Sequence, residues 1–468
     1  MRNIKWFSCI IFLFTFISCS DFLEEESQDE VSVKTVSDFS EFLLGSGYPQ
    51  PAIATLYSVL YLLDDDVEIN ESILNENENL NIRTRFGHFT WQPNMWERIE
   101  KLSENYARTY AQITGCNATL DYIDDAIGEV EAREQVKAEA LGVRAYFYFM
   151  LVNLYGEPYN HNKNALGVPL KLTSGIIENG IERNTVAEVY EQIVKDLSTA
   201  SDLFEKYAPR RGNYRINLST VNILLSRAYL YMERWDDAIE AATKAIRYGA
   251  GLTDYTRIPD GSTFYMTTYD HSEVEWLYGN GNSQYREGML TVFRPSEDLM
   301  SNFREGDKRR TLWFSSDLSI LKKNYQSACP SNTIRLSEAY LNRAEARVLS
   351  EHADIDGALA DLNALRKHRI VGYQDEIIPA SELLEEIRVE RRLELCFDEL
   401  RWFDLRRYGM PSIEHRYRTS TSESWYVYTL RAEDPLYTLP IPNVQLEKNI
   451  KLKQNASAYE AERTGHVE

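Results

Sequence analysis

The first chemistry the chain offers is that of a thiol. Cys19 follows Phe16-Ile17-Ser18, with a small residue directly before it. That arrangement resembles a bacterial lipobox, which implies that the thiol is acylated and that Cys19 becomes the new amino terminus. Bulky Phe16 stands where leucine is usual. Oxygen ligands come next. Asp64, Asp66, Glu68 and Asn70 alternate loosely like a calcium run, but the central glycine and closing bidentate glutamate of an EF-hand are missing, so a solvated acidic loop is expected instead. The catalytic classes are thinly represented. No HExxH, GxSxG, phosphate-binding glycine loop or dinucleotide fingerprint occurs. The seven histidines are scattered, and Cys116, Cys329 and Cys396 show no CxxC spacing, so each reads as a small buried hydrophobe. No cofactor and no metal are expected. A glycosidase would need two carboxylates about 5–10 Å apart; 72 acidic residues supply many pairs and single out none.

The elements that carry these residues begin with an export signal. Arg2 and Lys5 precede an apolar run, Trp6 to Ile17. A membrane-spanning helix needs about 20 apolar residues, so residues 1–18 read as a signal peptide. Residues 19–36 are an acidic tether containing Asp21, Glu24, Glu25, Glu26, Asp29 and Glu30, a like-charged run that stays hydrated. Removing Arg2 and Lys5 takes the formal charge from −21 to −23. A body this acidic repels phosphate backbones, which argues against nucleic-acid binding. It also makes adhesion to anionic lipid by charge alone unfavourable, so acyl chains must hold it.

The remainder, 37–468, reads as one mainly α-helical body. A capping signal at Ser37-Asp38 starts the first helix. Apolar residues recur at three or four from Trp96 to about Tyr122, again from Glu134 to Leu154, and from the cap at Asn184-Thr185 to Tyr207. Residues 218–248 and 336–367 resemble tetratricopeptide units, with Ala238, Ala242, Ala245, Ala346 and Ala358 where paired helices approach closely. Helical repeats are therefore placed at about 96–248 and 335–409. Loop-rich regions are placed at about 64–95 and 249–330, the second an irregular insertion with one alternating stretch, Glu273 to Tyr278. A closing segment, 410–455, carries the strand-like run Trp425 to Leu430, and the tail beyond Asn455 is expected to be disordered. Trp96 and Trp276 are assigned to the core.

Residues 381–409, SELLEEIRVERRLELCFDELRWFDLRRYG, carry the longest signature. With Leu439-Pro440-Ile441-Pro442, the helical unit Leu336 to Arg366, and the mature start Cys19-Ser20-Asp21-Phe22-Leu23-Glu24, it resembles the SusD/RagB family of surface nutrient-binding lipoproteins of Bacteroidetes. On a helix, Ile387, Leu393, Phe397 and Leu400 form an apolar stripe, flanked by charges that pair at three or four, such as Asp404 with Arg401 and Arg407. A buried helix fixed by ion pairs is favoured over a binding cluster.

The resemblance implies a SusD-like fold and a chain without catalytic turnover, held to the outer face of the outer membrane through Cys19. The acidic patch behind that cysteine resembles the export signal of such lipoproteins. It implies a partner, a SusC-like TonB-dependent outer-membrane transporter, against which the repeat face packs. It also implies a ligand, most readily a glycan, held by the loops at 64–96 and 249–330. Sugar faces need aromatic rings, and sugar hydroxyls need carboxylates, amides or guanidinium groups. The chain's 30 tyrosines suit that demand. The candidate ligand residues are Asp66, Arg83 and Trp91 in the first region, and Tyr265, Tyr269, Asn280, Tyr285 and Arg286 in the second. A peptide ligand, an all-helical glycoside hydrolase and a periplasm-facing repeat adaptor are the alternatives.

Overall fold

The computed structural model describes residues 33–49, 60–97, 105–207, 214–259, 262, 273–278, 292–316, 318 and 332–468. Ten principal helices build the body: α1 (Val36–Ser46), α2 (Asn105–Tyr122), α3 (Val130–Tyr155), α4 (Val186–Lys206), α5 (Leu218–Tyr231), α6 (Trp235–Tyr248), α7 (Leu336–Leu349), α8 (Ile355–Lys367), α9 (Ala380–Leu395) and α10 (Arg401–Arg407). Among the described residues, seven short strands accompany them: β1 (Val67–Ile69), β2 (Val274–Tyr278), β3 (Phe293–Pro295), β4 (Asn332–Arg335), β5 (Ile413–Tyr417), β6 (Tyr426–Leu430) and β7 (His466–Val467). Among the described residues no helix is long and apolar enough to cross a membrane.

The helix boundaries follow from capping chemistry. Thr35 opens α1 with a reciprocal bond pattern to Asp38, three residues ahead of Asp38 and two ahead of Ser37, where the sequence suggested the start. Thr185 does the same for α4 with Glu188, as expected. α3 ends at Gly156, and Pro158 follows. The two repeat units are helical hairpins: α5 packs on α6 and α7 on α8, and α6 also packs on α7, so the units stack. Ala238, Ala242, Ala245, Ala346 and Ala358 are fully buried at these contacts. Small side chains let the helices approach; Leu225, Leu362 and Leu365 fill the remaining space.

α3 is buried along most of its length, from Val136 to Tyr155, and forms the spine against which α2 and α4 pack. Trp96 and Trp276 lie in the core as anticipated, and so do Cys116 and Cys396. Residues 64–96 are less loop-like than their composition suggested. They carry β1 and two short helices, Leu80–Thr84 and Phe86–Phe89. The tail is ordered, contrary to expectation. Residues 456–459 form a short 3-10 helix, and β7 extends the β5–β6 sheet by pairing with Tyr426 and Val427. Its hydrogen bonds to a distant strand are invisible in a polar local sequence.

Candidate functional site

The signature helix α9 is a buried hub, not a surface. Ile387, Leu393, Phe397 and Leu400 are all in the core. Glu394, with no exposure, is gripped by three arginines from three different segments. Arg369 donates to it at 2.9 and 3.0 Å, Arg309 at 3.0 Å, and Arg335 pairs with it from β4. Burial alone would raise this carboxyl, but the charges of Arg369 and Arg335 hold it well below the usual range. Arg369 also reaches Glu273 at 2.7 Å, at the start of β2. The hub thus clamps both strands of the β2–β4 pair, from which the insertion departs. A second knot joins Arg391 and Arg407 to Asp404 at 2.7 and 2.8 Å, and Arg407 to Glu345 of α7. The expected Asp404–Arg407 pair is present; Arg401 turns elsewhere.

Arg401 turns to residues 64–66. It donates to both oxygens of Asp65, each at 2.7 Å. Arg392 bonds Asp66 at 2.8 Å and Asp298 at 2.6 Å. Asp64 and Asp66 are buried, so the expected solvated acidic loop is instead an internal ion-paired corner. Burial, with Asp66 and Asp65 nearby, pushes Asp64 well up; burial also raises Asp66 against the pull of Arg392. Burial would raise Asp65 too, but the hydrogen bonds and charge of Arg401 bring it down to about 2. The three aspartates bring one oxygen each within 4.8 Å of one another, yet two of them are neutralised by guanidinium groups.

This corner fixes the β1–β3 ladder. Ser296 donates from its backbone to Asp66 and from its hydroxyl to Asp65, and Asn70 donates to Val292, both backbone groups. Glu68 and Arg294 stand directly opposite one another and pair at 2.6 Å. Beside the ladder runs β5, whose burial alternates: Ile413, His415 and Tyr417 point inward, Glu414 and Arg416 outward. His415 lies flat between Phe89 and Trp91, with ring centroids 4.2 and 4.3 Å away, and burial lowers its pKa to about 4. The two outward residues of β5, the β1–β3 pair, Asp65, Arg401 and Trp425 enclose a cleft of about 520 Å³. Trp425 carries the guanidinium groups of Arg416 and Arg418 at 4.6 and 4.2 Å from its ring centroid. A hollow of about 470 Å³ near Glu157, Arg183 and Ser457 has no Trp, Tyr or Phe in its wall.

The residues singled out from the sequence fall in three places. Asp66 is 1% exposed and held by Arg392. Trp91 has no exposure and donates its indole N–H to Leu63 at 2.9 Å. Both build the corner and offer no surface to a ligand, a correction to their expected role. Arg83 is exposed, bonds Glu78 at 2.8 Å, and lies outside the cleft lining. Tyr265, Tyr269, Asn280, Tyr285 and Arg286 lie outside the described residues, as does Cys19. The sequence reading missed Glu68, Arg294, Glu414, Arg416 and Trp425 as a group. The alternation Ile-Glu-His-Arg-Tyr at 413–417 was the available signal.

Comparison with known proteins places this geometry. A family model described as "Starch-binding associating with outer membrane" matches residues 21–230, and the model of the SusD family matches residues 313–459. The chain belongs to the SusD/RagB family. SusD-like protein P2 of Formosa agariphila is 22% identical over 96% of this chain and 98% of its own length. SusD-like protein P25 of the same organism is 22% identical over 64% of this chain; the match spans about half, 53%, of that relative. Among solved structures, a SusD superfamily protein from Bacteroides vulgatus superposes with a TM-score of 0.71 at 21% identity, over 90% of this chain and 99% of that one. A SusD-like carbohydrate binding protein from the same species gives 0.69 at 20% identity, over 90% and 97%. The SusD/RagB fold accounts for the stacked repeats and for the buried signature helix. In this SusD/RagB protein, the cleft sits where the first loop region meets residues 294–298 of the second.

Proposed function

We propose that the protein is a glycan-binding lipoprotein of the outer membrane, facing outward and anchored through Cys19, that captures a polysaccharide fragment without cleaving it and passes it to a TonB-dependent transporter. The observation that carries the reading is the cleft of about 520 Å³ between the β1–β3 ladder and β5. Its size suits two or three sugar units. Carboxylates in its wall accept hydrogen bonds from hydroxyls, and Trp425 adds a ring at its edge. The stacked repeats α5–α8 are proposed to dock the transporter.

The decisive experiment is binding of the mature chain to a glycan panel on native affinity gels, with product analysis of each mixture. Retardation by a glycan with no shortened product supports capture without turnover. Shortened products would make the protein a hydrolase, and retention only by peptides would move the ligand to that class.

A further inference from the structure

The charged groups of the cleft have a bearing on which glycans it accepts. Six carboxylates line it, those of Asp65, Glu68, Glu71, Glu297, Asp298 and Glu414, against the guanidinium groups of Arg294, Arg401 and Arg416, while Arg392 holds Asp298 at 2.6 Å and Arg418 stands 3.6 Å from Glu71 from outside the lining, so the excess negative charge rests on Glu297 and Glu414. Every one of these arginines is already engaged. Arg294 pairs with Glu68 at 2.6 Å, Arg401 holds both oxygens of Asp65, and Arg416 meets Glu468 at 2.6 Å. His415 adds no positive charge at neutral pH, because burial lowers its pKa to about 4.

A sulfate or carboxylate entering this cleft would have to take a guanidinium from an existing partner. Taking Arg401 would leave Asp65 only its longer contact with Arg392, at 3.4 Å, a penalty that the incoming anion could at best match. It would also enter a field of excess negative charge, focused by a concave wall and reinforced by the net −21 of the chain. Ionised carboxylates accept hydrogen bonds and donate none. Glu297 and Glu414 are exposed, and neither forms an ion pair among those identified in the described residues. Their complement is a ligand rich in hydroxyl donors and free of negative charge.

We infer that the cleft takes an uncharged, hydroxyl-rich glycan chain and discriminates against sulfated and uronate polymers. This rests on the cleft being the glycan site, as proposed above. The test is isothermal titration calorimetry of the mature full chain in detergent. The probes are dextran and laminarin oligosaccharides, the sulfated derivative of each, alginate oligosaccharides and chitosan oligosaccharides. The expected result is binding to an uncharged member, with its sulfated derivative weaker by at least about tenfold at low salt. The affinity for the uncharged glycan changes less than about twofold as salt rises, because no net charge is neutralised on binding. The double variant Glu297→Lys/Glu414→Lys narrows the gap by raising affinity for the sulfated derivative.

Tighter binding of a sulfated, uronate or amino glycan than of every uncharged one overturns the inference while leaving glycan capture standing. Binding to an uncharged glycan that is indifferent to the double lysine variant in both forms moves the site away from this cleft, and also overturns it. Binding to none of the probes counts against glycan capture itself, and the inference falls with it.

Discussion

Arg401 meets Asp65 in a parallel pair of hydrogen bonds, both 2.7 Å long, across 336 residues of chain. The pair joins the end of the signature to the start of the first loop region. A lysine can keep the charge but cannot make both bonds. Arg401→Lys is therefore expected to lower stability by about 1–2 kcal/mol and to weaken glycan binding, both read by urea denaturation and calorimetry. Unchanged values would mean that the fork does not hold the corner.

Glu394 takes three arginines with no exposure to water. Glu394→Ala removes the carboxylate these buried cations share, leaving Arg309 to Asp307 and Glu390, Arg335 to Asp398 and Arg369 to Glu273, and is expected to cost about 3–5 kcal/mol. Circular dichroism melts in parallel with expression yield check this. A loss smaller than that of Arg401→Lys would show that the hub is not the main clamp on β2 and β4.

Glu399 behaves in the opposite sense to the paired acids. Burial is the largest cause of its raised pKa, with Asp398 adding and the Asn332 hydrogen bond opposing, and the value reaches about 8. The unfolded chain gives up this proton near its ordinary 4.5. Between those two pH values the folded state holds a proton that the unfolded state has lost, so stability falls as pH rises, and levels off above about 8. Glu399→Gln removes that slope. At pH 9 the variant is expected to exceed the parent by on the order of 2 kcal/mol, and to match it at pH 4. Parallel stability curves with equal slopes would contradict the assignment.

Gly115 in α2 sits against the end of α1. A Cβ there would strike the backbone of Ser46 and come within 2.9 Å of the Gly47 nitrogen. Gly115→Ala gains helix propensity but forces α1 outward, for a net loss of about 1–3 kcal/mol. A stabilised variant in thermal melts would show that α1 gives way freely.

Trp425 and Arg416 share the cleft rim. Replacing both by alanine is expected to lower glycan affinity by about tenfold while leaving the thermal midpoint nearly unchanged, since Arg416 is exposed and Trp425 only half-buried. Full retention of affinity would place the ligand elsewhere.

The repeats were legible because spacing and small residues encode them locally: Ala238, Ala242 and Ala245 recur on one helix face. The signature was legible as a buried ion-paired helix because charges flank an apolar stripe. The candidate site was mostly not legible. Asp66 and Trp91 have the residue types of a sugar site, yet their burial depends on Arg392, some 300 residues distant, and on Leu63 O, neither of which can be inferred from local pattern. Glu414 and Arg416 became cleft residues only through pairing with β6. The order of β7 likewise depends on a distant strand.

β2 ends in one sheet at Tyr278, and β3 begins in another at Phe293. Each sheet is secured by its own arginine clamp, Glu394's on one side and Asp65's on the other. The two sheets are thus held like posts set independently in the ground. A substitution that loosens one clamp is therefore expected to leave the other sheet in place.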